Sequence, residues 1–433
     1  MRPDEVPPPP PTGASLASRA ASTLVMGLSG LLCRTFLFGA CKVEVHGLDN
    51  FLKVLDERKN VNGREKGLLT ISNHVSVYAS RLDDPLMWGV LPLRYAMQPD
   101  SLRWGLGSFD LCFQNKLLSH FFSYGQVLPT HRLLYSPYGG IFQPAVTQAI
   151  RLLSRGPFPR PEPYDVALGL SPSHTTSPAS SSSLPLHQIT NSASDTPAEP
   201  IISDPFSSPS ADVYDYTTYA TCPRDPILFD APTAPLHLNT RSHAWLHVFP
   251  EGRVHQHATR AMRYFRWGVA RLLLEAEPAP DIVPIWIEGL DQVMPEDRKW
   301  PRFVPRAGAK VKVCFGDKVE GESVVGDLRG RWRDMVGKEI VRAGGAKGDV
   351  GEEAARLLPV GEIPPEYEAL REGPEAVALR EECAHRIRQH VLAMRKKEGW
   401  PDEDPKAGKA ETWRVEGGKE TGRMRDGSLV GDT

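Results

Sequence analysis

The sequence predicts an α/β fold with an N-terminal membrane-associated helix. Short apolar runs typical of buried strands alternate with longer segments of helical periodicity, the order of elements found in α/β proteins. Two of these runs end in polar groups, SNH at 72–74 and PEGR at 250–253. Because α/β proteins place their sites at the carboxyl ends of strands, both positions are candidates for function.

Composition excludes some classes of function. The 433 residues carry a formal charge of −2, so the chain as a whole does not attract nucleic acid. The six cysteines form no CxxC pair and have no ligand spacing with histidine. This usage favours reduced thiols over a zinc site or a disulfide framework.

The N-terminal region divides into a proline-rich stretch and an apolar one. We expect residues 1–15 to be disordered and residues 16–41 to form the membrane-associated helix. Residues 22–41 contain a single charge, Arg34, and in a helix they would cover about 30 Å, enough to span a bilayer. A helix lying in the membrane surface with Arg34 snorkelling, and an ordinary buried helix, are the alternatives.

Five segments are predicted strands from their apolar runs and alternation: KVEVHGL, GLLTIS, WLHVF, IVPIWI and AKVKVCFG, beginning at 42, 67, 245, 282 and 309. The apolar region between 85 and 130 is predicted to form helices, with a strand at QVLPT. Met262, Phe265, Val269 and Leu272 recur at helical spacing, which predicts one amphipathic helix through MRYFRWGVARLLLEA.

Composition also sets the expected domain boundaries. Residues 155–242 are rich in Ser and Pro and bury too little apolar surface to fold, so we predict a disordered insertion. Residues 42–154 and 243–345 would form one domain that this insertion interrupts. The chain is charged beyond Asp317, with a helix predicted near 325–342, and residues 346–433 form a charged C-terminal region that is predicted to be helical at about 374–397.

His74 and Asp83 are candidates for acid–base chemistry. A neutral imidazole can take a proton from an alcohol when a carboxylate holds its other ring nitrogen. A structural hydrogen bond between the same two residues is the alternative.

The PEGR turn is the second candidate site. From Arg253 to Leu274 the chain has no acid and five arginines: 253, 260, 263, 266 and 271. Guanidinium groups bind phosphate in bidentate fashion, so a headgroup site is one interpretation, and a solvated helix face is the other. Metal binding through the histidine pairs 243/247 or 255/257 lacks a third ligand.

These motifs together carry a family resemblance. NH…DDP, G-x-x-x-x-x-x-R, FPEGR and V-P-I resemble, in order, the four blocks of the glycerolipid acyltransferase superfamily. The resemblance covers about residues 16–154 and 243–345, with the helix near 375–397 as a further segment. It implies a central sheet flanked by helices.

The resemblance assigns six residues: His74 as general base, Asp83 as the acid that orients it, and Arg132, Glu251, Gly252 and Arg253 as substrate-binding residues. The branch of the superfamily most similar to this chain moves acyl chains from phospholipid to lysophospholipid, such as monolysocardiolipin, without coenzyme A. The implied enzyme works in mitochondrial membranes, anchored interfacially on the side of the intermembrane space. The resemblance implies no cofactor, metal or nucleic acid, and it is compatible with a homo-oligomer. An acyl-CoA-dependent acyltransferase and an inactive membrane-surface scaffold are the rival functions.

One departure from the family pattern concerns the spacing of the base and its acid. Eight residues separate His74 from Asp83 where the family has four, and removing YASR (78–81) restores the pattern. In a continuous helix the two Cα atoms would lie roughly 13 Å apart, too far for a hydrogen bond. YASR is therefore expected to bulge out before a helix that begins near Leu82 or Asp83. A mis-assigned exon edge and an inactive enzyme are the alternatives.

Overall fold

The computed structural model describes most of the chain outside the Ser/Pro-rich segment. The described residues are 16–60, 63–76, 83–132, 136, 139–154, 243–297, 304–343, 358, 360–414, 422–424 and 427–431. The predictions for residues 1–15, for YASR and for 155–242 therefore lie outside the described residues. The side chain of Asp83 also lies outside them, although its backbone begins a helix.

A seven-stranded mixed sheet forms the centre of the molecule. Its strands are β1 (Lys42–His46), β2 (Leu68–Ser72), β3 (Trp104–Ser108), β4 (Val127–Thr130), β5 (Trp245–Val248), β7 (Asp281–Glu288) and β8 (Lys310–Phe315), and their spatial order is β1-β8-β7-β2-β5-β3-β4. The five strands from β7 to β4 are parallel, whereas β8 pairs antiparallel with β7 and parallel with β1. The predicted α/β fold is confirmed.

Helices cover both faces of this sheet. They are α1 (Leu16–Ala40), α2 (Leu48–Glu57), α3 (Asp83–Trp88), α4 (Leu93–Ala96), α5 (Phe109–Cys112), α6 (Lys116–Tyr124), α7 (Pro144–Leu153), α8 (Gly268–Leu274), α9 (Leu290–Val293), α10 (Gly321–Arg342), α11 (Glu368–Glu372), α12 (Pro374–Lys397) and α13 (Ala410–Arg414). One apolar cluster joins the sheet to α7, α8, α10 and α12, and a second joins its other face to α1, α2, α3 and α4. Residues on opposite faces of the central strands β2, β5 and β7 supply the two clusters, as the pleat requires.

Helix α1 packs along one stripe and leaves the other exposed. Met26, Cys33 and Leu37 are buried. Leu24, Leu28, Leu31, Leu32 and Phe38 are between 46% and 69% exposed. Residues 19–40 are long and apolar enough to cross a membrane by composition. Arg34 does not point away from the protein, because its Nη1 donates to the carbonyl oxygens of residues 89–91 over 3.1–3.3 Å.

The helix predicted through 262–276 is shorter than expected. Only Gly268–Leu274 is helical, and residues 260–266 are irregular. The backbone groups of this stretch are bonded elsewhere: the N–H of Arg266 donates to the carbonyl of Pro250, 2.8 Å away. A peptide group bonded to another segment cannot also make the i→i−4 bond of a helix. Tertiary contacts therefore override the apolar spacing.

The apolar region between 85 and 130 contains one more strand than predicted. LRWGLGSF was interpreted as helical, but Trp104–Ser108 is strand β3 between β4 and β5. Its two glycines allow close approach to neighbours, since a Cβ at Gly107 would lie 2.6 Å from a Val127 methyl group. Glycine disfavours a helix interior, and in this strand it marks close packing.

The C-terminal region folds back onto the domain. Helix α12 supplies buried residues such as Leu379, Ile387 and Val391 to the main core. Beyond it, β9 (Gly422–Arg423) and β10 (Leu429–Gly431) form a small antiparallel sheet with β6 (Val254–Gln256), the strand after PEGR. The C-terminal region is therefore packed against both the core and the segment that follows the PEGR motif.

Candidate active site

Parallel strands β2 and β5 are neighbours, so the two sequence motifs meet at one edge of the sheet. Asn73 fixes the first motif against β7. Its Nδ2 donates to the carbonyl of Ile287 over 2.9 Å, and its Oδ1 accepts from the N–H of the same residue over 2.8 Å. An asparagine side chain that pairs with both backbone groups of one residue acts like an extra strand residue. The position preceding His74 is thus anchored.

The backbone of His74 is held from both sides. Its N–H donates to Oε1 of Glu251 over 2.9 Å, and its carbonyl accepts from the N–H of His255 over 3.0 Å. Its ring stacks on Phe249, with centroids 4.4 Å apart, and the residue is only 3% exposed. The second motif therefore positions the histidine of the first.

Glu251 connects three segments of backbone. While Oε1 accepts from His74, Oε2 accepts from the N–H of Arg263 over 2.8 Å. The carboxyl group is 2% exposed, and burial raises its pKa from 4.5 to about 7, against the lowering effect of these two N–H donors. Both oxygens are thus engaged with the backbone in this structure, and the prediction that Glu251 contacts substrate stays a prediction.

Gly252 completes the turn. Its N–H donates to the carbonyl of Phe249 over 3.1 Å, and its φ is +62°. A Cβ here would also lie 2.6 Å from the Arg266 side chain. Any other residue would combine left-handed backbone with a steric clash, so glycine is required at this position.

A second histidine lies beneath the first in the sheet. His247 is fully enclosed, with Nδ1 2.9 Å from Oγ1 of Thr70 and Nε2 3.3 Å from Oγ of Ser72. Burial first, and then the charge of Arg103, lower its pKa well below the ordinary value. This imidazole is consequently neutral and serves the packing of the sheet edge.

Helix α3 begins at Asp83, within the range expected from the sequence. The neighbouring carboxylate, Asp84, is already paired, because it forms an ion pair with Arg103 and accepts from the indole N–H of Trp88 over 2.9 Å. The carboxylate of Asp84 is thus held by contacts inside the protein. The contact between His74 and Asp83 falls outside the described residues.

Arg132 follows strand β4 at the same edge of the sheet. Its Nε donates to Oδ1 of Asp110 over 3.0 Å, and its Nη2 pairs with the other carboxylate oxygen. A bidentate pair of this kind orients the planar guanidinium. The aspartate comes from DLCF, immediately after β3.

An apolar cleft lies beside His247 and Phe249. Its volume is about 100 Å³, and it lies between α1 (Val25, Met26), α6 (Phe121, Phe122) and the first turn of α3 (Asp84, Pro85). Phe249 separates it from the ring of His74. On the outside of the same helices, Leu117 is 79% and Phe121 43% exposed, so the cleft lies near an apolar surface.

No family model matches the sequence, but individual proteins do. Tafazzin of Saccharomyces cerevisiae is 29% identical over 405 residues, which cover 92% of this chain and 82% of that protein. Taffazin of Dictyostelium discoideum is 26% identical over 305 residues, 70% of each chain. The chain is a phospholipid acyltransferase that is similar in sequence to the tafazzins. The superfamily resemblance predicted from the four motifs is thereby confirmed.

Among solved structures, this chain is similar to the 1-acyl-sn-glycerophosphate acyltransferase PlsC of Thermotoga maritima. The alignment covers 76% of this chain and 83% of that one, with 12% identity and a TM-score of 0.34.

Three of the five arginines that follow PEG are held by contacts within the protein. Arg260 pairs with Asp291 at 2.7 Å, and Arg271 is buried in an ion pair with Glu275. Arg263 is 6% exposed, with its guanidinium 4.3 Å from the ring centre of Trp413. The predicted basic face is therefore reduced to Arg253, which is half-buried in the turn, and Arg266, which is exposed and donates from Nε to the carbonyl of Glu251 over 3.3 Å.

The histidines weighed as metal ligands have other roles in this acyltransferase. Nδ1 of His243 lies 2.6 Å from the carbonyl of Arg64, and Nδ1 of His255 lies 2.9 Å from that of Ala261. Because a carbonyl only accepts, both nitrogens act as donors. Away from the site, His46, Cys314 and Glu398 come close together, but the ammonium of Lys312 is 3.0 Å from that carboxylate and supplies the cation.

Sequence reasoning missed several residues that shape the candidate site. They are Asn73, Asp110, Phe249 and two residues of the C-terminal region, Arg388 and Glu403. Asn73 and Phe249 could have been found because they stand beside His74 and Glu251 in the quoted motifs. The C-terminal residues carry no local signal, since charged residues are common throughout that region.

Proposed function

We propose that the chain is a CoA-independent transacylase that moves an acyl chain from a phospholipid to a lysophospholipid, such as monolysocardiolipin in cardiolipin remodelling. The observation that carries the proposal is the double anchoring of His74 by the PEG turn and by the strand that follows it. A general base must be held in place, and here the N–H of His74 is bonded to Glu251 and its carbonyl to the N–H of His255 in β6.

In the proposed reaction, His74 removes the proton of the free hydroxyl of the lysophospholipid. The resulting oxygen attacks the ester carbonyl of the donor phospholipid and forms a tetrahedral intermediate. When the intermediate collapses, the new ester forms, the old C–O bond breaks, and the imidazolium returns its proton to the departing alkoxide. One ester replaces another, so neither ATP nor coenzyme A is consumed. Asp83 would hold the second ring nitrogen.

The apolar cleft supports the accommodation of an acyl chain. It lies one aromatic ring away from His74, and it is lined on the other side by α1 and α6. Because Phe249 stands between the cleft and the imidazole, its ring would have to shift for an ester to reach the base. We therefore assign Phe249 to the boundary between acyl chain and headgroup.

The basic residues at this edge would bind the lipid phosphates. Arg132 presents a guanidinium oriented by Asp110, and Arg253 stands in the PEG turn that Gly252 makes possible. Glu251 would act indirectly, since it supports the backbone of His74 and does not reach outward. Together these residues would bind both substrates on one side of the sheet.

The exposed stripe of α1 supports attachment to one leaflet rather than a span. The helix packs on α3, α4 and α6, with the hydroxyl of Ser22 donating to the carbonyl of Tyr124 over 2.7 Å and Arg34 bonded to the end of α3. A spanning α1 would draw these elements into the hydrocarbon, where polar backbone groups are costly. We place the enzyme interfacially on mitochondrial membranes, facing the intermembrane space.

The test uses purified full-length protein with vesicles that contain phosphatidylcholine labelled on its acyl chain and unlabelled monolysocardiolipin. Label should move to the acceptor without acyl-CoA. His74→Ala should abolish transfer, by at least about 100-fold if the imidazole is the base, while binding to the vesicles persists. The matched control is His385→Ala on the exposed face of α12, which should retain full activity.

Three outcomes would overturn parts of the proposal. Transfer only after addition of acyl-CoA would establish the CoA-dependent rival. Turnover retained by His74→Ala would exclude the base assignment. A chain without transfer in either assay, which gains it when YASR is deleted, would show that the altered spacing inactivates this sequence.

A further inference from the structure

We propose that Arg388, Glu403, Trp413 and strand β10 of the C-terminal region are positioning elements for His74, acting through the segment 259–263 and through β6. This inference rests on the proposed function, because it concerns the same histidine. Helix α12 and the described residues that follow it, which we call the tail, contact the two structures that hold the backbone of His74. These are the segment 259–263 and strand β6. Neither contact is part of the four motifs that define the superfamily resemblance.

The first contact is a clasp around the peptide groups of Met262 and Arg263. Nε of Arg388 donates to the carbonyl of Arg263 over 3.0 Å, and its Nη2 donates to that of Met262 over 2.7 Å. Oε2 of Glu403 accepts from the N–H of Met262 over 3.2 Å. Three backbone groups in two residues are thus bound by side chains from the C-terminal region.

The clasp is buried and internally neutralised. Arg388 and Glu403 form an ion pair whose side chains are 3% and 4% exposed. A buried pair is costly to assemble, but once formed it is directional, and removing one partner leaves a buried charge. The fourth backbone group of the two residues, the N–H of Arg263, is the one that donates to Glu251.

The link from the tail to the base is therefore short. Glu403 and Arg388 hold residues 262 and 263, Arg263 donates to one oxygen of Glu251, and the other oxygen accepts from the N–H of His74. If residues 262–263 moved by one ångström, Glu251 would lose a donor or shift with it. A displacement of this size at a catalytic group can cost about 100-fold in rate.

The second contact is made through β6. The N–H of His255 donates to the carbonyl of His74, and Nε2 of Gln256 donates to that of Val75 over 2.9 Å. On the opposite edge of β6, the tail strand β10 pairs Val430 with His255 and Leu429 with Gln256. The tail thus completes a small sheet on which the loop of His74 rests.

Trp413 joins the two contacts. Its ring lies edge-on to His255, with centroids 5.1 Å apart, and under the guanidinium of Arg263 at 4.3 Å. One aromatic side chain of α13 therefore touches a residue from each of the two structures that bond to His74. Cation–π and edge-to-face contacts have preferred geometries, so they restrict the orientation of the groups that they join.

The experiment measures transfer kinetics in full-length Glu403→Gln and Trp413→Leu, with the labelled phosphatidylcholine and monolysocardiolipin vesicles described above. Each variant should lower kcat by about 10-fold or more, and the KM for the lysophospholipid should stay within about twofold, because no substrate contact is removed. Trp413→Phe, which keeps an aromatic face, should recover most of the rate.

Two controls separate positioning from general loss of structure. Glu411→Gln, on the exposed face of α13, removes the same charge without touching residues 262–263 and should leave kcat unchanged. Thermal unfolding of every variant is followed in parallel, and rates are normalised to the folded fraction. If the normalised rates of the variants equal the wild-type rate, the tail only stabilises the fold.

The two hypotheses fail differently. If His74→Ala is inactive while Glu403→Gln and Trp413→Leu keep the wild-type kcat, the positioning role is excluded and the proposed function survives. If His74→Ala remains active, both the assignment of His74 as the base and the positioning inference are excluded. A changed KM with unchanged kcat would also exclude positioning and would place the tail in substrate binding.

Discussion

The two ends of the described chain contact the surroundings of the candidate site in different ways. Helix α1 at the N-terminal end packs through apolar side chains and exposes leucines such as Leu24 and Leu32. The C-terminal region instead contributes buried arginines, Arg388 and Arg395, which bind backbone carbonyls of the segment 259–263. Each end also makes the other kind of contact, through Ser22 and Arg34 of α1 and through Leu379 and Ile387 of α12, but the C-terminal region differs in binding its neighbour through fully buried guanidinium groups.

This difference predicts different tolerances to substitution. Apolar contacts scale with the area removed from water and survive replacement by another apolar residue. A buried guanidinium that donates to several carbonyls has no substitute of the same shape, and its removal leaves those acceptors without partners. The C-terminal region should therefore be the more sensitive of the two, although it lies outside the family motifs.

The largest effect is expected for Arg395→Met. Arg395 is 1% exposed and donates to the carbonyls of Thr259 and Arg260 over 2.7 and 2.9 Å, and also to that of Pro401. Leaving these acceptors buried without a donor should lower the free energy of unfolding by about 3–5 kcal/mol, as measured by chemical denaturation.

The neighbouring Lys396→Met is the matched control for Arg395→Met. Lys396 is exposed and pairs only at the surface, with Asp402 at 3.0 Å. Its removal should cost less than about 1 kcal/mol. Equal losses in the two variants would contradict the argument that the C-terminal region acts through buried, defined bonds.

The next largest effect is expected for Glu251→Gln, which should change how the free energy of unfolding depends on pH. Because burial raises the pKa of Glu251 to about 7, the folded state binds a proton that the unfolded state releases near pH 4.5. The free energy of unfolding should therefore fall as pH rises from about 4.5 to 7, by at most about 3 kcal/mol from this group, and then level off. Glu251→Gln should lose this slope.

The same substitution should also reduce acyl transfer, because an amide offers only one acceptor to the two N–H groups of His74 and Arg263. Denaturation curves over the pH range, with Glu368→Gln as an exposed control, check the first expectation. If Glu251→Gln and the wild type show parallel pH profiles, Glu251 does not titrate in this window.

The smallest effect on stability is expected at α1. Leu28 and Leu32 are 52% and 61% exposed, so Leu28→Ser with Leu32→Ser should change the free energy of unfolding by less than about 0.5 kcal/mol. Binding to lipid vesicles should weaken by about 1 kcal/mol for each leucine, or roughly 30-fold in total, measured by co-sedimentation.

Val341→Ser is the control for the α1 variant. Val341 is an exposed apolar residue on α10, outside α1. Its substitution should leave vesicle binding unchanged. If both variants bind equally well, the exposed face of α1 does not contact the membrane.

Much of the fold could be predicted because local patterns report burial. The strands beginning at Lys42, Leu68, Trp245, Asp281 and Lys310 all coincide with predicted apolar runs. The prediction failed at 262–267, where apolar spacing indicated a helix but Glu251, Arg388 and Glu403 bind the backbone. It failed again at Trp104–Ser108, where pairing with two neighbouring strands outweighs the local pattern.

The candidate site was predictable in its members but not in its geometry. His74 and Glu251 could be singled out because each follows a predicted strand. That Glu251 holds the backbone of His74, that Asp110 orients Arg132, and that Phe249 stands between the imidazole and the apolar cleft all depend on contacts between segments far apart in sequence.

By itself, the sequence determined the fold class, the apolar N-terminal helix, and the residue types that meet at one edge of the sheet. These properties follow from periodicity and strand ends, which are local. Only the tertiary structure decided that the C-terminal region belongs to this edge, because the carbonyls of the segment 259–263 that Arg388 and Arg395 bind are more than 120 residues away in the chain. A bond over such a separation leaves no periodic trace in the sequence at either end.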